Sequence, residues 1–168
     1  MKKIPFFISA ALFASAAAFA GDNLVANGGF ETNNGWGSDS SKDYEIVDQD
    51  ARGGQYCMKL NRHAWHLIRL DKTKAHKITI SVKCQDCPPD TFSVRILKKP
   101  GQGWVVRDWK FDLVKTGGTH DWREFSTVIT PEIFGEGEPD YVIVTRADKQ
   151  GGTVWIDDLI LEMLPEEE

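Results

Sequence analysis

The residues whose spacing is most typical of chemistry are two of the three cysteines, Cys84 and Cys87, which are separated by two residues. This spacing occurs in redox motifs, in half of a zinc site and in short structural disulfides. A redox pair needs its first cysteine at a helix N-terminus, but here the pair follows an alternating strand pattern and precedes two prolines. A zinc site would need two more ligands, for which His63 and His66 are candidates. We favour a structural disulfide between Cys84 and Cys87, and keep the metal and redox alternatives open. At least one of the three cysteines has no intramolecular partner, and the pairing of Cys57 stays open.

Acidic side chains are the other candidates for chemistry, because 25 Asp and Glu residues leave room for the carboxylate pair of a glycoside hydrolase. The sequence contains no G-x-S-x-G and no H-E-x-x-H, and its 4 histidines are scattered. No motif therefore places an acid beside a nucleophile. A binding protein is favoured over an enzyme, which stays an alternative.

The first twenty residues have the pattern of a secretory signal peptide. A cationic start at 1–3 precedes an apolar stretch at 4–17 and an Ala-Phe-Ala exit at 18–20. We expect cleavage near Ala20 and export to the periplasm or the medium. The remaining chain of about 150 residues suits one domain, and it has no later apolar run long enough for membrane insertion.

The charge of the chain excludes a general polyanion binder. Lys+Arg 20 against Asp+Glu 25 gives a net charge of −5, whereas nucleic acids and anionic membranes require clustered positive charge. We therefore expect no nucleic-acid partner. The acidic end at 165–168 is expected to be a solvated tail.

The elements that must position these side chains are strands. Apolar residues alternate with polar ones at 56–60, 78–82, 92–96 and 125–129. Turn signals, such as Pro88-Pro89-Asp90 and Gly117-Gly118, separate these runs. No stretch after the signal peptide shows a convincing helical period. The pattern predicts an all-β sandwich or barrel that forms one domain over 21–164.

Several short motifs, taken in order, resemble a known family. The chain has NGGFE at 27–31, GQYCMKL at 54–60, KITISVK at 77–83, DWREF at 121–125 and GTVWIDDLIL at 152–161. This set resembles the carbohydrate-binding modules of families 4, 9, 16 and 22. The resemblance covers almost all of the chain after the signal peptide, and it implies a two-sheet antiparallel β-sandwich of the galactose-binding-like jelly-roll type.

The resemblance also implies a structural calcium ion. In the resembled modules an opening glutamate and a closing aspartate help to hold this ion, and they correspond to Glu31 and Asp157 here. Carboxylate and carbonyl oxygens are the ligands that calcium requires. Simple strand alternation predicts that Asp157 shares a face with Trp155 and Leu159, and that Asp158 points to the other face.

Sugar binding, which the resemblance implies, needs an aromatic platform with polar side chains beside it. Trp36 and Trp122 match packing positions of the family and are expected in the core. Trp104, beside the Pro-Gly turn at 100–103, is the first candidate for the platform, and Trp65 is the second. The predicted polar partners are Arg69, Arg95, Asp108 and Lys110.

Three functions remain as hypotheses. The first is a secreted, noncatalytic and monomeric binder of polysaccharide or oligosaccharide. The second is a structural or protein-interaction sandwich that has a cell-surface or enzyme partner and no sugar site. The third is a small polysaccharide-active enzyme. Fold-level analogy alone does not choose among them.

Overall fold

The computed structural model describes residues 22–98, 112–133, 140–147 and 151–165. The predicted signal peptide and three of the predicted site residues, Trp104, Asp108 and Lys110, lie outside the described residues. The described strands are β1 (Tyr44–Val47), β2 (Cys57–Leu60), β3 (His63–Arg69), β4 (His76–Lys98), β5 (Asp112–Ile129), β6 (Asp140–Ala147) and β7 (Thr153–Met163), with a 3-10 turn at Pro131–Ile133. None of the helices among the described residues is long and apolar enough to cross a membrane.

Two long strands connect the two layers of the sandwich. Residues 76–85 of β4 pair with β7 on one side, and residues 92–98 pair with β6 instead. Strand β5 pairs along both parts of β4. The first layer is therefore β1, β2, β7 and the adjoining halves of β4 and β5, and the second layer is β3, β6 and the other halves. The predicted antiparallel β-sandwich is confirmed.

The corner of β4 lies where the sequence predicts a turn between two strands. Successive register shifts occur from Val82 to Phe92, and Asp86 and Asp90 have φ angles of 55°. On the facing strand, a Cβ at Gly117 would overlap the Pro88 carbonyl oxygen. The turn residues thus bend one continuous strand from layer to layer, so the turns expected at 88–90 and 117–118 do not separate strands.

The core fills the space between the layers with alternate strand residues. The first layer contributes Met58, Leu60, Ile78, Ile80, Val82, Val154, Ile156, Leu159 and Leu161, and the second contributes Ala64, Ile68, Phe92, Val94 and Val114. Val25, Phe30 and Trp36 of the opening segment pack into the same cluster. Trp36 is 8% exposed, as expected for a packing tryptophan.

The opening segment is attached directly to the closing strand. Leu24 donates its N–H to the Leu161 carbonyl at 2.8 Å, and Leu159 donates to the Gly28 carbonyl at 2.9 Å. A Cβ at Gly28 would overlap the Leu159 carbonyl oxygen. A glycine in this motif is therefore required by the close approach of two backbones.

A β-bulge interrupts the closing strand β7. Ser81 on β4 pairs with Asp157, but two residues earlier Thr79 pairs with Ile160. The extra residue in β7 is Asp158, which has a φ of 49°. A bulge of this kind places two residues of one strand opposite one residue of the other, and so changes which face the following side chains occupy.

Because of the bulge, the side chains of the closing motif do not alternate between the two faces as predicted. Val154 and Ile156 are in the core before it, and Leu159 is in the core after it. Trp155 and Asp157 therefore lie on the outer side of the first layer. The prediction that Asp157 shares a face with Leu159 is wrong because simple alternation does not allow for the extra residue.

Candidate functional site

The outer face of the second layer collects three of the predicted sugar-binding residues. Trp65 pairs with Val144 on β6, and Val144 pairs in turn with Arg95 on β4. Residues in one cross-strand row point to the same side of a sheet. Arg69, four residues after Trp65 on β3, also lies on this side and is exposed. The structure thus places Trp65, Arg95 and Arg69 on one face, which we call the Trp65 face.

The orientation of β3 follows from its sequence. Ala64, His66 and Ile68 are buried, whereas the intervening residues are half-buried or exposed. His66 faces inward, where its Nδ1 lies 2.5 Å from the Gly35 carbonyl oxygen and its ring packs against Trp36. The buried residues therefore fix the outward direction of the Trp65 side chain.

Trp65 is held in place by a short segment beside β3. Gly37 and Trp65 exchange backbone hydrogen bonds of 2.9 and 2.8 Å. The indole lies over Gly37, where a Cβ would come within 2.5 Å of the ring. The ring remains half-buried. Backing by a glycine therefore fixes the ring without enclosing it.

His63 lies in the same face, at the beginning of β3. Its Nε2 is 3.3 Å from an Asp39 carboxylate oxygen and 3.7 Å from an Asp43 oxygen. Asp43 is buried, whereas the exposed Asp39 carboxylate adds a hydrogen-bond acceptor beside His63. The sequence suggests His63 only as a zinc ligand, and it does not suggest Asp39 or Asp43 because both are distant from β3 along the chain.

The two predicted calcium ligands converge on one loop at 52–56. Asp157 is fully buried and accepts hydrogen bonds from the backbone N–H groups of Arg52 at 2.9 Å, Gly53 at 3.1 Å and Asp158 at 2.8 Å. Glu31 accepts from the N–H groups of Gln55 at 2.9 Å and Tyr56 at 3.2 Å. Each carboxylate therefore holds one end of the same loop.

Burial and hydrogen bonding act in opposite directions on Asp157. Desolvation raises the pKa of its carboxyl group, and the three N–H donors limit that rise because they stabilise the charged form. A buried carboxylate of this kind is suited to bind either N–H groups or a cation.

The fit of this loop to calcium depends on oxygen ligands. Within the residues that the structure describes, no three His, Cys, Asp or Glu side chains form a group that could hold a metal ion. The two carboxylates approach one loop, which presents backbone N–H groups to both of them, and carboxylate oxygens are ligands that calcium takes. The donor set is therefore of the right chemical type, and the calcium site stays a prediction.

Arg52, which the sequence analysis did not select, also holds this loop in place. Its guanidinium bonds to the Ser81 hydroxyl and lies 3.3 Å from Glu124 and 3.7 Å from Asp158. Trp122, a predicted packing residue, is half-buried and donates its indole N–H to the Asp50 carbonyl at 2.8 Å. The loop is thus fixed on the outer side of the first layer.

The three cysteines are buried and form no disulfide bond with one another. Burial raises the pKa of the Cys84 thiol to about 12, with further contributions from the charge and hydrogen bond of Cys87. Burial likewise raises the pKa of Cys57 to about 12. Reactive redox thiols have depressed pKa values instead, so the redox alternative is disfavoured. The Cys84–Cys87 disulfide stays a prediction.

The fold matches solved structures of carbohydrate-binding modules. A family 22 xylan-binding domain from Paenibacillus barcinonensis is 15% identical, covers 90% of this chain and 100% of its own, and has a TM-score of 0.63. A family 16 module is 24% identical over 83% of this chain and 99% of its own, with a TM-score of 0.58. A family 61 module in complex with β-1,4-galactotriose is 17% identical over 84% of this chain and 99% of its own, with a TM-score of 0.54.

These likenesses define the class of fold. The chain has the jelly-roll β-sandwich of the carbohydrate-binding modules, as the motifs at its two ends indicate. No protein-family model matches the chain, and no curated protein matches it.

Proposed function

We propose that this protein is a secreted, noncatalytic glycan-binding module whose binding surface is the Trp65 face. The observation that carries the proposal is the cross-strand row that joins Trp65 to Arg95 on the outer side of the second layer. The fold supports it, because similar structures include a xylan-binding domain and a module bound to β-1,4-galactotriose. The pattern at 1–20 supports export.

The geometry of the Trp65 face suits an extended sugar chain. Trp65 and Arg95 are separated by one intervening strand, which corresponds to about 10 Å. Arg69 lies four residues along β3 from Trp65, which is about 13 Å. An indole can stack on the apolar face of one sugar ring, and guanidinium groups at these distances can donate hydrogen bonds to hydroxyls of neighbouring rings.

We also propose that Glu31 and Asp157 hold a structural calcium ion beside the loop at 52–56. The support is the convergence of both carboxylates on this loop. Calcium that binds the folded protein alone should raise the unfolding midpoint, and chelation should lower it. Glu31→Gln should remove this difference while leaving the chelated protein folded. A midpoint that does not respond to calcium would exclude the site.

The glycan proposal is tested by affinity electrophoresis of the chain from residue 21 in gels that contain xylan, galactan or glucan. We expect retardation by at least one polysaccharide, and we expect Trp65→Ala to weaken it strongly. Trp122→Ala is the matched control, because Trp122 is also a half-buried tryptophan but belongs to the first layer. Circular dichroism shows whether each variant is folded.

The other outcomes distinguish the alternatives. A folded wild-type protein that is retarded by no polysaccharide would favour the protein-interaction sandwich. Release of reducing ends from any of these polysaccharides would favour the enzyme. Retardation that survives Trp65→Ala but not Trp104→Ala would place the platform in the connection between β4 and β5, where the first sequence candidate lies.

A further inference from the structure

The outer side of the first layer contains a pocket that the Trp65 face does not use. Its volume is about 480 Å³, which lies within the usual range of small-molecule sites. It is formed where β1 and the residues after it meet β2 and β7. The residues that matter to its chemistry are Glu45, Asp48, Gln49, Tyr56, Lys59 and Trp155.

The closing strand β7 provides one aromatic wall of the pocket. Val154 and Ile156 point into the core, so Trp155 between them points outward and is half-buried. Tyr56, at the end of the loop that Glu31 holds, adds a second half-buried ring to the same pocket. Two aromatic rings in one concave surface offer stacking area at low conformational cost.

Charged residues flank Trp155 in one row across the layer. Lys59 on β2 and Lys83 on β4 are its two cross-strand partners, and Glu45 on β1 is the next partner of Lys59. The Lys83 ammonium lies 5.6 Å from the centre of the Trp155 ring and is itself 3.5 Å from an Asp50 carboxylate oxygen. Lys83 thus occupies one side of the ring, and the pocket opens on the Lys59 side.

Lys59 differs from Lys83 because its ammonium makes no ion pair or hydrogen bond with any residue that the structure describes. It is a donor available to a ligand. Glu45 and Asp48 provide acceptors in the same pocket, and Gln49 provides both. Aromatic rings combined with acceptors and donors are the groups that recognise a sugar ring and its hydroxyls.

The charges also indicate which sugars fit. Two carboxylates and one available ammonium line the pocket, so an anionic ligand would meet net repulsion. We propose that this pocket is a second saccharide site, which takes a neutral sugar unit and stacks it against Trp155. The second site lies on the layer opposite the Trp65 face and does not depend on it. A single domain with both sites could bind two glycan chains at once, which increases avidity for a polysaccharide surface.

The test is a titration followed by ¹H–¹⁵N NMR, with xylotriose, galactotriose and galacturonic acid as separate probes. Trp155→Phe identifies the Trp155 indole N–H signal. In Trp65→Ala protein, a neutral trisaccharide should still shift this signal. Lys59→Ala should weaken the effect about tenfold, as expected for the loss of one charge-assisted hydrogen bond. Lys77→Ala is the matched control, because Lys77 lies on the same side of the first layer and is paired with Glu162 at 4.0 Å.

Each outcome decides the proposal. If neither trisaccharide shifts the Trp155 signal, or if Lys59→Ala and Lys77→Ala bind equally, the second site is overturned. Tighter binding of galacturonic acid than of the neutral probes would overturn the class of ligand. One further outcome is a Trp155 response in Trp65→Ala protein together with polysaccharide retardation that Trp65→Ala does not change. This outcome would support the second site and contradict the Trp65 face, so the two proposals fail separately.

Discussion

Replacement of Asp157 by asparagine tests the three backbone hydrogen bonds that its buried carboxylate accepts. Asp157 is 0% exposed and accepts backbone N–H bonds on both carboxylate oxygens. Asparagine keeps one oxygen and presents an NH₂ group at the other position. At least one backbone N–H then faces a donor instead of an acceptor.

The magnitude follows from the hydrogen bonds that are lost. Each bond to a charged acceptor contributes about 1.5–3 kcal/mol, and Asn loses one or two of the three. The replacement also removes the cost of burying a charge, which is the cause of the raised pKa of Asp157. We therefore expect a destabilisation of about 2–3 kcal/mol, a large part of the 5–15 kcal/mol that is typical of a domain.

The assay is urea unfolding of the chain from residue 21 in the presence of a chelator, followed by tryptophan fluorescence. Chelation separates the hydrogen-bond effect from the proposed calcium effect. Asp158→Asn is the matched control, because Asp158 is half-buried and its carboxylate makes a 3.7 Å ion pair with Arg52. We expect the control to cost less than about 1 kcal/mol. Equal effects of the two variants would refute the reasoning.

Three further predictions concern other buried groups. Gly28→Ala should destabilise the protein by about 1–3 kcal/mol, because its Cβ would meet the closing strand. Gly29→Ala should not, because its Cβ would have nothing within 4 Å. Urea unfolding compares the two variants, and equal stabilities would contradict the close approach at Gly28. Burial lowers the pKa of His76, so the unfolded chain takes up a proton below about pH 6.5 that the fold does not; the unfolding free energy should fall from pH 7.5 to 5.5, less so in His76→Phe, and identical slopes would disprove this. The exported protein should carry a Cys84–Cys87 disulfide, which peptide mass spectrometry detects as the loss of two hydrogens; free thiols at both positions would disprove the pairing.

The sequence predicts most of the fold because its strands bury one face and expose the other. Alternation at 56–60, 78–82 and 125–129 corresponds to strand segments of the first layer. The sequence does not predict that β4 continues through 88–90, because the same prolines and aspartate fit either a chain reversal or a corner. The outcome depends on the contact between Gly117 and Pro88, which is a tertiary feature.

The candidate site is predicted in part. Trp65 and Arg95 are chosen from their polar surroundings and strand phase, and the register through Val144 places them in one row. Trp155 is missed as a surface aromatic because its position at the head of a closing apolar strand suggests burial. The neighbours Val154 and Ile156 provide the signal that was missed, because both are apolar. If these two side chains are buried, strand alternation directs Trp155 between them outward.

Protection of Trp65 from chemical oxidation would show whether bound polysaccharide covers the Trp65 face. The chain from residue 21 is treated with limiting N-bromosuccinimide, with and without the polysaccharide that retards it most, and oxidised peptides are measured by mass spectrometry. We expect Trp65 to be oxidised in the free protein and protected in the complex, while Trp122 on the opposite layer reacts equally in both. Equal oxidation of Trp65 with and without bound polysaccharide would contradict the Trp65 face as the glycan-binding surface.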